Sequence, residues 1–164
     1  MSYAGDLIKT RIVARADLCK RLVALARPLV FTNGVFDILH TGHVEYLEAA
    51  RLLGGSLMVA LNSDNSARQL GKGPDRPINF QNDRATMVAA LSSVSLVTIF
   101  EERTPIELLH EVRPDIYVKG GDYDVEHLKE TQFLRSYGGD AKAIPFRNGY
   151  STTTLIERIR SGRE

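Results

Sequence analysis

Five short runs of near-continuous apolar character, spaced by stretches of helical periodicity, constrain this chain more than any other feature. They are residues 29–32 (LVFT), 56–61 (SLMVAL), 96–100 (LVTIF), 115–119 (DIYVK) and 141–146 (AKAIPF). A strand with one wet face alternates apolar and polar side chains; runs without that alternation suit strands covered on both faces. Between them, Val44, Leu47, Ala50 and Leu53 recur at three-residue spacing before Gly54-Gly55 stops the helix. Residues 83–91 read as a second helix, and Thr104-Pro105 opens a third with proline at its first position. Residues 125–137 make a fourth, ended by Gly138-Gly139, and residues 152–159 a fifth. Asp17 is placed to cap an N-terminal helix that stops before Pro28. Strands alternating with helices predict an α/β fold: a Rossmann-like, five-stranded parallel sheet with helices on both faces and right-handed crossovers. At 164 residues the chain is long enough for one sizeable core. Residues 1–27 are expected to form a helical extension and residues 28–164 the main body of a single domain.

Charge and cysteine content narrow the function classes. The 21 basic and 20 acidic side chains leave a formal charge of +1, which disfavours a nucleic-acid binder. The balance is uneven. Residues 1–27 carry six Lys/Arg against Asp6 and Asp17, whereas residues 28–156 hold twelve basic and sixteen acidic residues. Positive charge clustered in that acidic stretch would need a reason. Cys19 is the only cysteine, which excludes an intrachain disulfide and a Cys-rich zinc site and suits a reducing compartment. The first residues lack the apolar stretch of a secretory signal, and nowhere do about 18 apolar residues run together. A cytoplasmic protein with no membrane partner is expected.

The first strand runs into Asn33-Gly34-Val35-Phe36-Asp37-Ile38-Leu39-His40-Thr41-Gly42-His43, where a helix begins. Open α/β sheets bind ligands beyond the carboxyl ends of their strands, where strand order reverses. With Thr41 as cap, His40 stands just before the helix and His43 in its first turn. That offset puts both imidazoles on one side, beside unpaired backbone N–H groups and the positive end of the helix dipole. Such a corner suits a phosphate, and Gly42 lets it approach the backbone closely. Two other readings stay open: ordinary surface histidines, or a two-His site with Asp37 that no further ligand of familiar spacing completes.

Those ten residues, GVFDILHTGH, resemble the first signature of the cytidylyltransferase-like nucleotidyltransferases, whose HxGH element binds a nucleoside triphosphate. Their second signature, an I-S-T-T-like element opening the last helix, is similar to Gly149-Tyr150-Ser151-Thr152-Thr153-Thr154. Simple N-capping also accounts for these hydroxyls, and Thr154 with Glu157 fits a capping box. Leu61-Asn62-Ser63-Asp64, the stretch Lys72…Arg76-Pro77-Ile78…Arg84, and Val118-Lys119-Gly120-Gly121-Asp122-Tyr123 extend the match to about residues 28–160. Within the superfamily the chain looks most like the branch that adenylylates a heptose 1-phosphate. Cytidylyltransferases acting on glycerol 3-phosphate usually carry R-T-E-G before I-S-T, whereas this chain has the shorter Arg147-Asn148-Gly149. A glycerol 3-phosphate cytidylyltransferase is the alternative within the superfamily, and a non-catalytic nucleotide-binding module the alternative outside it.

The resemblance implies transfer of AMP from ATP, as its Mg²⁺ complex, to a sugar 1-phosphate, with no metal held by the protein alone. It assigns catalysis to His40, His43 and Lys72, and nucleotide binding to Val35, Phe36, Thr41, Gly42, Asn62, Asp64, Arg76, Arg84, Gly149, Ser151, Thr152 and Thr153. Acceptor binding falls to Asn33, Asp37, Lys119, Gly120, Asp122 and Tyr123. Several of these have plainer readings. Lys72 and Arg76 can be solvated charges on the Gly/Pro-rich loop 71–77, and Arg84 can pair with Asp83 or Glu101 on the surface. Asp37 can order its loop, and Tyr46 and Tyr117 suit the core. A lysine closing a buried strand, as Lys119 does, is costly without a partner, which favours a ligand there. The branch also implies a homo-oligomer working with a separate sugar kinase and a phosphatase.

Overall fold

The computed structural model describes residues 5–71, 73, 75–121, 124–145 and 151–162. In chain order the elements are α1 (Gly5–Lys9), α2 (Leu18–Leu22), β1 (Leu29–Gly34), α3 (Thr41–Arg51), β2 (Ser56–Asn62), α4 (Asp64–Arg68), α5 (Gln81–Ala89), β3 (Leu96–Phe100), α6 (Ile106–Val112), β4 (Ile116–Gly120), α7 (Lys129–Arg135), β5 (Asp140–Ile144) and α8 (Thr152–Arg160). The five strands are all parallel, in the order β3-β2-β1-β4-β5.

Side-chain alternation sorts the strands onto two cores. Leu29, Phe31, Met58, Ala60, Leu96, Phe100 and Tyr117 face α2, α6 and α7, meeting Leu18, Leu108, Leu109, Val112 and Leu134. Val30, Leu57, Val59, Leu61, Val97 and Val118 face α3 and α5, meeting Leu47, Ala50, Ala85, Val88 and Ala89. The doubly covered sheet expected from the apolar runs is therefore present.

Local details differ from the expectations. Asp17 makes no capping side-chain bond, and α2 ends at Leu22 well short of Pro28. Residues 125–137 break into a 3-10 turn at Val125–His127 and then α7, because Leu128 is extended between them. The helix expected at 83–91 starts two residues earlier, and α6 begins after Pro105 rather than at it. Gly54 and Gly55 are needed for space. A Cβ on Gly54 would lie 2.3 Å from the carbonyl oxygen of Pro28, and one on Gly55 2.6 Å from that of Arg27.

The N-terminal segment docks against the domain. Ile12 bridges Val97 at the outer edge of β3, with the Val13 N–H donating to Val97 O and the Val97 N–H to Arg11 O. The Arg11 guanidinium donates to the carbonyls of Ala89 and Leu91 past the end of α5, while Arg15 pairs with Glu102 and Glu111. The basic charge of this segment thus answers carbonyls and carboxylates of the same chain, and the sheet edge is covered.

Candidate active site

Strand order reverses around β1: the chain leaves β1 for β2 on one side and returns through β4 on the other. Among the described residues the β1–β4 ladder runs only from Val30 opposite Ile116 to Thr32 opposite Val118. Both strands continue beyond it, to Gly34 and Gly120. Their ends form the crevice at which open α/β sheets take ligands, with Asn33, Lys119 and Gly120 beside it.

Two tyrosines hold this opening. Tyr46, buried on α3, donates to Val118 O at 3.2 Å and lies 2.6 Å from Thr32 Oγ1. Since one hydroxyl has one proton, Thr32 donates to Tyr46, and a single phenol ties the last paired residues of β1 and β4. Burial pushes the Tyr46 pKa up, so the phenol stays protonated. From the other face, Tyr117 Oη donates to Asn33 Oδ1 at 2.8 Å, fixing which way the Asn33 amide points. Both tyrosines are core residues, as expected, but their hydroxyls reach the site. Composition and spacing contain no signal for that.

Beyond β1, Phe36 adopts a left-handed backbone, φ +48°, which for a non-glycine residue costs about 1–3 kcal/mol. The chain then enters α3 with His40 as the extended N-cap; the His43 and Val44 N–H groups donate to its carbonyl. Thr41, expected as the cap, is instead the exposed first residue of the helix. The His40 and His43 rings stack, centroids 3.8 Å apart and 20° from parallel, and Phe36 lies tilted against His43 at 5.2 Å. Both residues are partly buried and packed together at a helix N-terminus, which favours a site over ordinary surface histidines. Among the described residues no group of three or more His, Cys, Asp or Glu side chains is arranged to hold a metal.

Asp37 orders its loop. Its Oδ1 accepts from the Ile78 and Asn79 N–H groups at 2.8 and 2.9 Å, and its Oδ2 pairs with Arg76 Nε at 2.7 Å. Asp37 thus takes the loop-ordering role that its plainer reading allows, and it anchors Arg76. Arg84 corrects the surface reading more sharply. Its side chain is 0% exposed and touches neither Asp83 nor Glu101. Instead it donates to Asn79 O (3.0 Å), Val35 O (2.6 Å), Asn62 O (2.9 Å) and Asp64 Oδ1 (2.7 Å). One planar cation therefore joins the segments that follow β1 and β2 and the loop before α5.

Asn62 is buried at the end of β2, with its amide donating to Ser66 Oγ, and Asp64 opens α4, a short helix that the sequence reading lacked. Ser63 caps α4 and donates to Glu101; the Asp64 N–H donates to Gln81 Oε1. Asn79, Gln81 and Ser66 are thus supporting residues that motif reading missed, although each lies within a few positions of a motif residue. At the second signature, Ser151 caps α8, its Oγ accepting from the Thr154 N–H at 3.0 Å. The capping box of Thr154 with Glu157 does not form, because Thr154 is already helical. Thr152 Oγ1 lies 3.5 Å from Ile38 O, which brings the two signatures together, while Thr153 is exposed. Lys72, Asp122, Tyr123, Arg147 and Gly149 lie outside the described residues.

Burial lowers the His40 pKa from its ordinary value near 6.5. The unfolded chain then takes up the proton first, so stability falls as pH drops below about 6.5 and is unaffected above it. The stability of the wild type relative to His40→Gln should therefore decline between pH 6.5 and 5, as read by urea midpoints. A difference independent of pH would show that His40 titrates normally.

The cytidylyltransferase-like family model matches residues 31–158. The chain is 56% identical over 156 residues to the D-beta-D-heptose 1-phosphate adenylyltransferase of Bordetella bronchiseptica, covering 94% of this chain and 96% of that protein. It is 50% identical over 136 residues to the bifunctional protein HldE of Trichlorobacter lovleyi, of which it spans 28%. Among solved structures, a lipopolysaccharide core biosynthesis protein from Thermoplasma volcanium superposes with a TM-score of 0.61 at 31% identity, covering 75% of this chain and 98% of that one. The pantoate-beta-alanine ligase of Francisella tularensis shares the fold alone, with a TM-score of 0.58 at 12% identity over 84% of this chain and 67% of that one.

Proposed function

Because this chain belongs to the cytidylyltransferase-like family, we propose that it transfers AMP from ATP to D-glycero-β-D-manno-heptose 1-phosphate, releasing pyrophosphate and forming ADP-heptose for lipopolysaccharide or surface-glycan precursors. The observation that carries this reading is the stacked His40–His43 pair at the N-terminus of α3, beside the β1–β4 crevice. The adenylyl and heptosyl specificity is supported by the 56% identity along nearly the full length of both chains.

The chemistry asks little of a base. A sugar-phosphate oxygen is already anionic at neutral pH. It attacks the α-phosphorus in line, the new P–O bond forms, and the bond to the bridging oxygen breaks with its electron pair leaving on pyrophosphate. The difficulty is to bring two polyanions together, since their repulsion is poorly screened once water leaves the site. Catalysis then falls to positioning and to offsetting negative charge.

His40 and His43 donate to the α- and β-phosphate oxygens, beside the free N–H groups of the first turn of α3. Gly42, buried in that turn, leaves the backbone open to the phosphates, with Val35, Phe36 and Thr41 around it. Ser151, Thr152, Thr153 and Gly149 approach the β- and γ-phosphates from the start of α8. Arg76 and Lys72 reach them from the loop before α5. Lys119 and Asn33 meet the acceptor phosphate at the crevice, with Gly120, Asp122 and Tyr123 around the sugar. Arg84, buried and bonded to Asn62 O and Asp64, holds the segments that present Asn62 and Asp64 to the nucleotide. Mg²⁺ enters with the triphosphate as part of the substrate, since magnesium usually keeps waters and phosphate oxygens as ligands. A homo-oligomer, and a sugar kinase and phosphatase acting before and after, complete this reading. No helix of the described residues is long and apolar enough to cross a membrane.

The test is pyrophosphate release with ATP, CTP, GTP and UTP crossed against heptose 1-phosphate, other sugar 1-phosphates and glycerol 3-phosphate. Turnover is expected only with ATP and the heptose 1-phosphate. Turnover with CTP and glycerol 3-phosphate would select the cytidylyltransferase alternative, and binding without turnover the non-catalytic one.

A further inference from the structure

A non-glycine residue stays in the left-handed region only where its surroundings hold it there. At Phe36, φ +48°, those surroundings can be named. Arg84 Nη1 donates to Val35 O at 2.6 Å, which sets the plane of the peptide joining Val35 to Phe36. Arg84 is itself fixed by Asp64, Asn62 O and Asn79 O, so this plane is tied to β2 and to the loop before α5. The phenyl ring then folds back over Gly34, where an added Cβ would meet Phe36 Cε2 at 2.9 Å. On its other side the ring lies 5.2 Å from His43 at 53°, and His43 stacks on His40 at 3.8 Å. Phe36 as a whole is 7% exposed. An imidazole on a helix turns readily about its second side-chain torsion, whose wells are broad. A tilted phenyl ring and a stacked imidazole both restrict that turning.

We propose that Phe36 is a positioning residue for His43: Arg84 holds the Val35–Phe36 peptide, and the left-handed turn lays the phenyl ring against His43 so that its imidazole stays stacked with His40. The inference rests on the reading of His43 as a phosphate-binding catalytic side chain. Leucine at position 36 would fill volume without presenting a flat wall. Asparagine takes the left-handed conformation readily and lacks the ring, so it separates ring from backbone.

A double-mutant cycle on the full chain tests this, with kcat from pyrophosphate release at saturating ATP and acceptor, and ¹H–¹³C spectra of the His43 ring. Phe36→Leu and Phe36→Asn are each expected to lower kcat about 10- to 100-fold, the loss typical of a slightly misplaced group. Acceptor KM should stay within about two-fold. Neither substitution should lower kcat further in a His43→Ala background, and the ring-current shift that His40 imposes on His43, read against His40→Ala in the same background, should disappear in both. Equal losses in both backgrounds, or an unchanged His40 contribution to the His43 shifts, would overturn the proposal, and Phe36→Asn decides if Phe36→Leu does not fold. A His43→Ala enzyme within a few-fold of wild type would instead overturn the role given to His43, leaving the resonances to uphold or overturn the positioning.

Discussion

His40→Ala and His43→Ala are each expected to lower kcat by about 10²–10³-fold, the loss that follows removal of one donor aimed at a developing oxyanion. The expectation comes from placement. Both rings stand at the N-terminus of α3, stacked at 3.8 Å, next to the opening where the β1–β4 ladder ends. As the acceptor oxygen closes on phosphorus, charge grows on the non-bridging oxygens and on the departing pyrophosphate. A donor fixed there before the reaction needs no reorganisation when that charge appears. Because the two imidazoles contact each other, their losses should not add, and the double variant should be only modestly slower than the worse single one. Single-turnover measurement of AMP transfer isolates the chemical step. Folded variants within a few-fold of wild type would sink this mechanism.

Arg84→Met is expected to destabilise the fold by about 3–5 kcal/mol, the usual consequence of removing one partner from a buried ion pair. The guanidinium has 0% side-chain exposure, and its removal strands the Asp64 carboxylate and leaves the carbonyls of Val35, Asn62 and Asn79 without this donor. A buried acceptor deprived of its donor keeps its desolvation cost. For a domain whose total stability is of order 5–15 kcal/mol, that is a large share. Arg84→Lys keeps the charge but presents three donors from one nitrogen, so it cannot reach the same acceptors in one plane, and an intermediate loss is expected. Asp64→Asn should cost less than Arg84→Met, since the three carbonyls keep their partner. Urea denaturation at pH 7 measures all three. A loss under about 1 kcal/mol for Arg84→Met would mean that water replaces the guanidinium and that the loops do not depend on it.

Much of this was legible before any coordinates. Apolar runs without alternation implied strands covered on both faces, and both cores are there, because burial on two sides leaves no position for a polar residue to repeat. The segment from Asn33 to His43 suits a phosphate, because a glycine and two histidines meet there at a helix start, and the resemblance to the family selects that reading from the others. The capping details were less legible. Ser151 rather than Thr154 caps α8, and His40 rather than Thr41 precedes α3. Neighbouring hydroxyls compete for one position, and the path of the preceding chain decides between them. A lone arginine on a helical pattern carries no mark of burial, so Arg84 looks from sequence like a surface or phosphate-binding charge. Only the convergence of the 35, 62, 64 and 79 backbones gives it a reason to be inside.

By itself, the sequence determined the fold class, because periodicity is local and survives in one dimension, and the resemblance to the family implied where the site lies and what it takes. The tertiary structure decided which polar residues bond to the protein itself. Asp37 and Arg84 went to the scaffold, Tyr46 and Tyr117 came to the edge of the crevice, and the basic N-terminal segment turned out to cover the edge of β3. Those outcomes depend on which distant backbone groups need a partner once water is excluded, and that demand exists only after the chain has closed on itself.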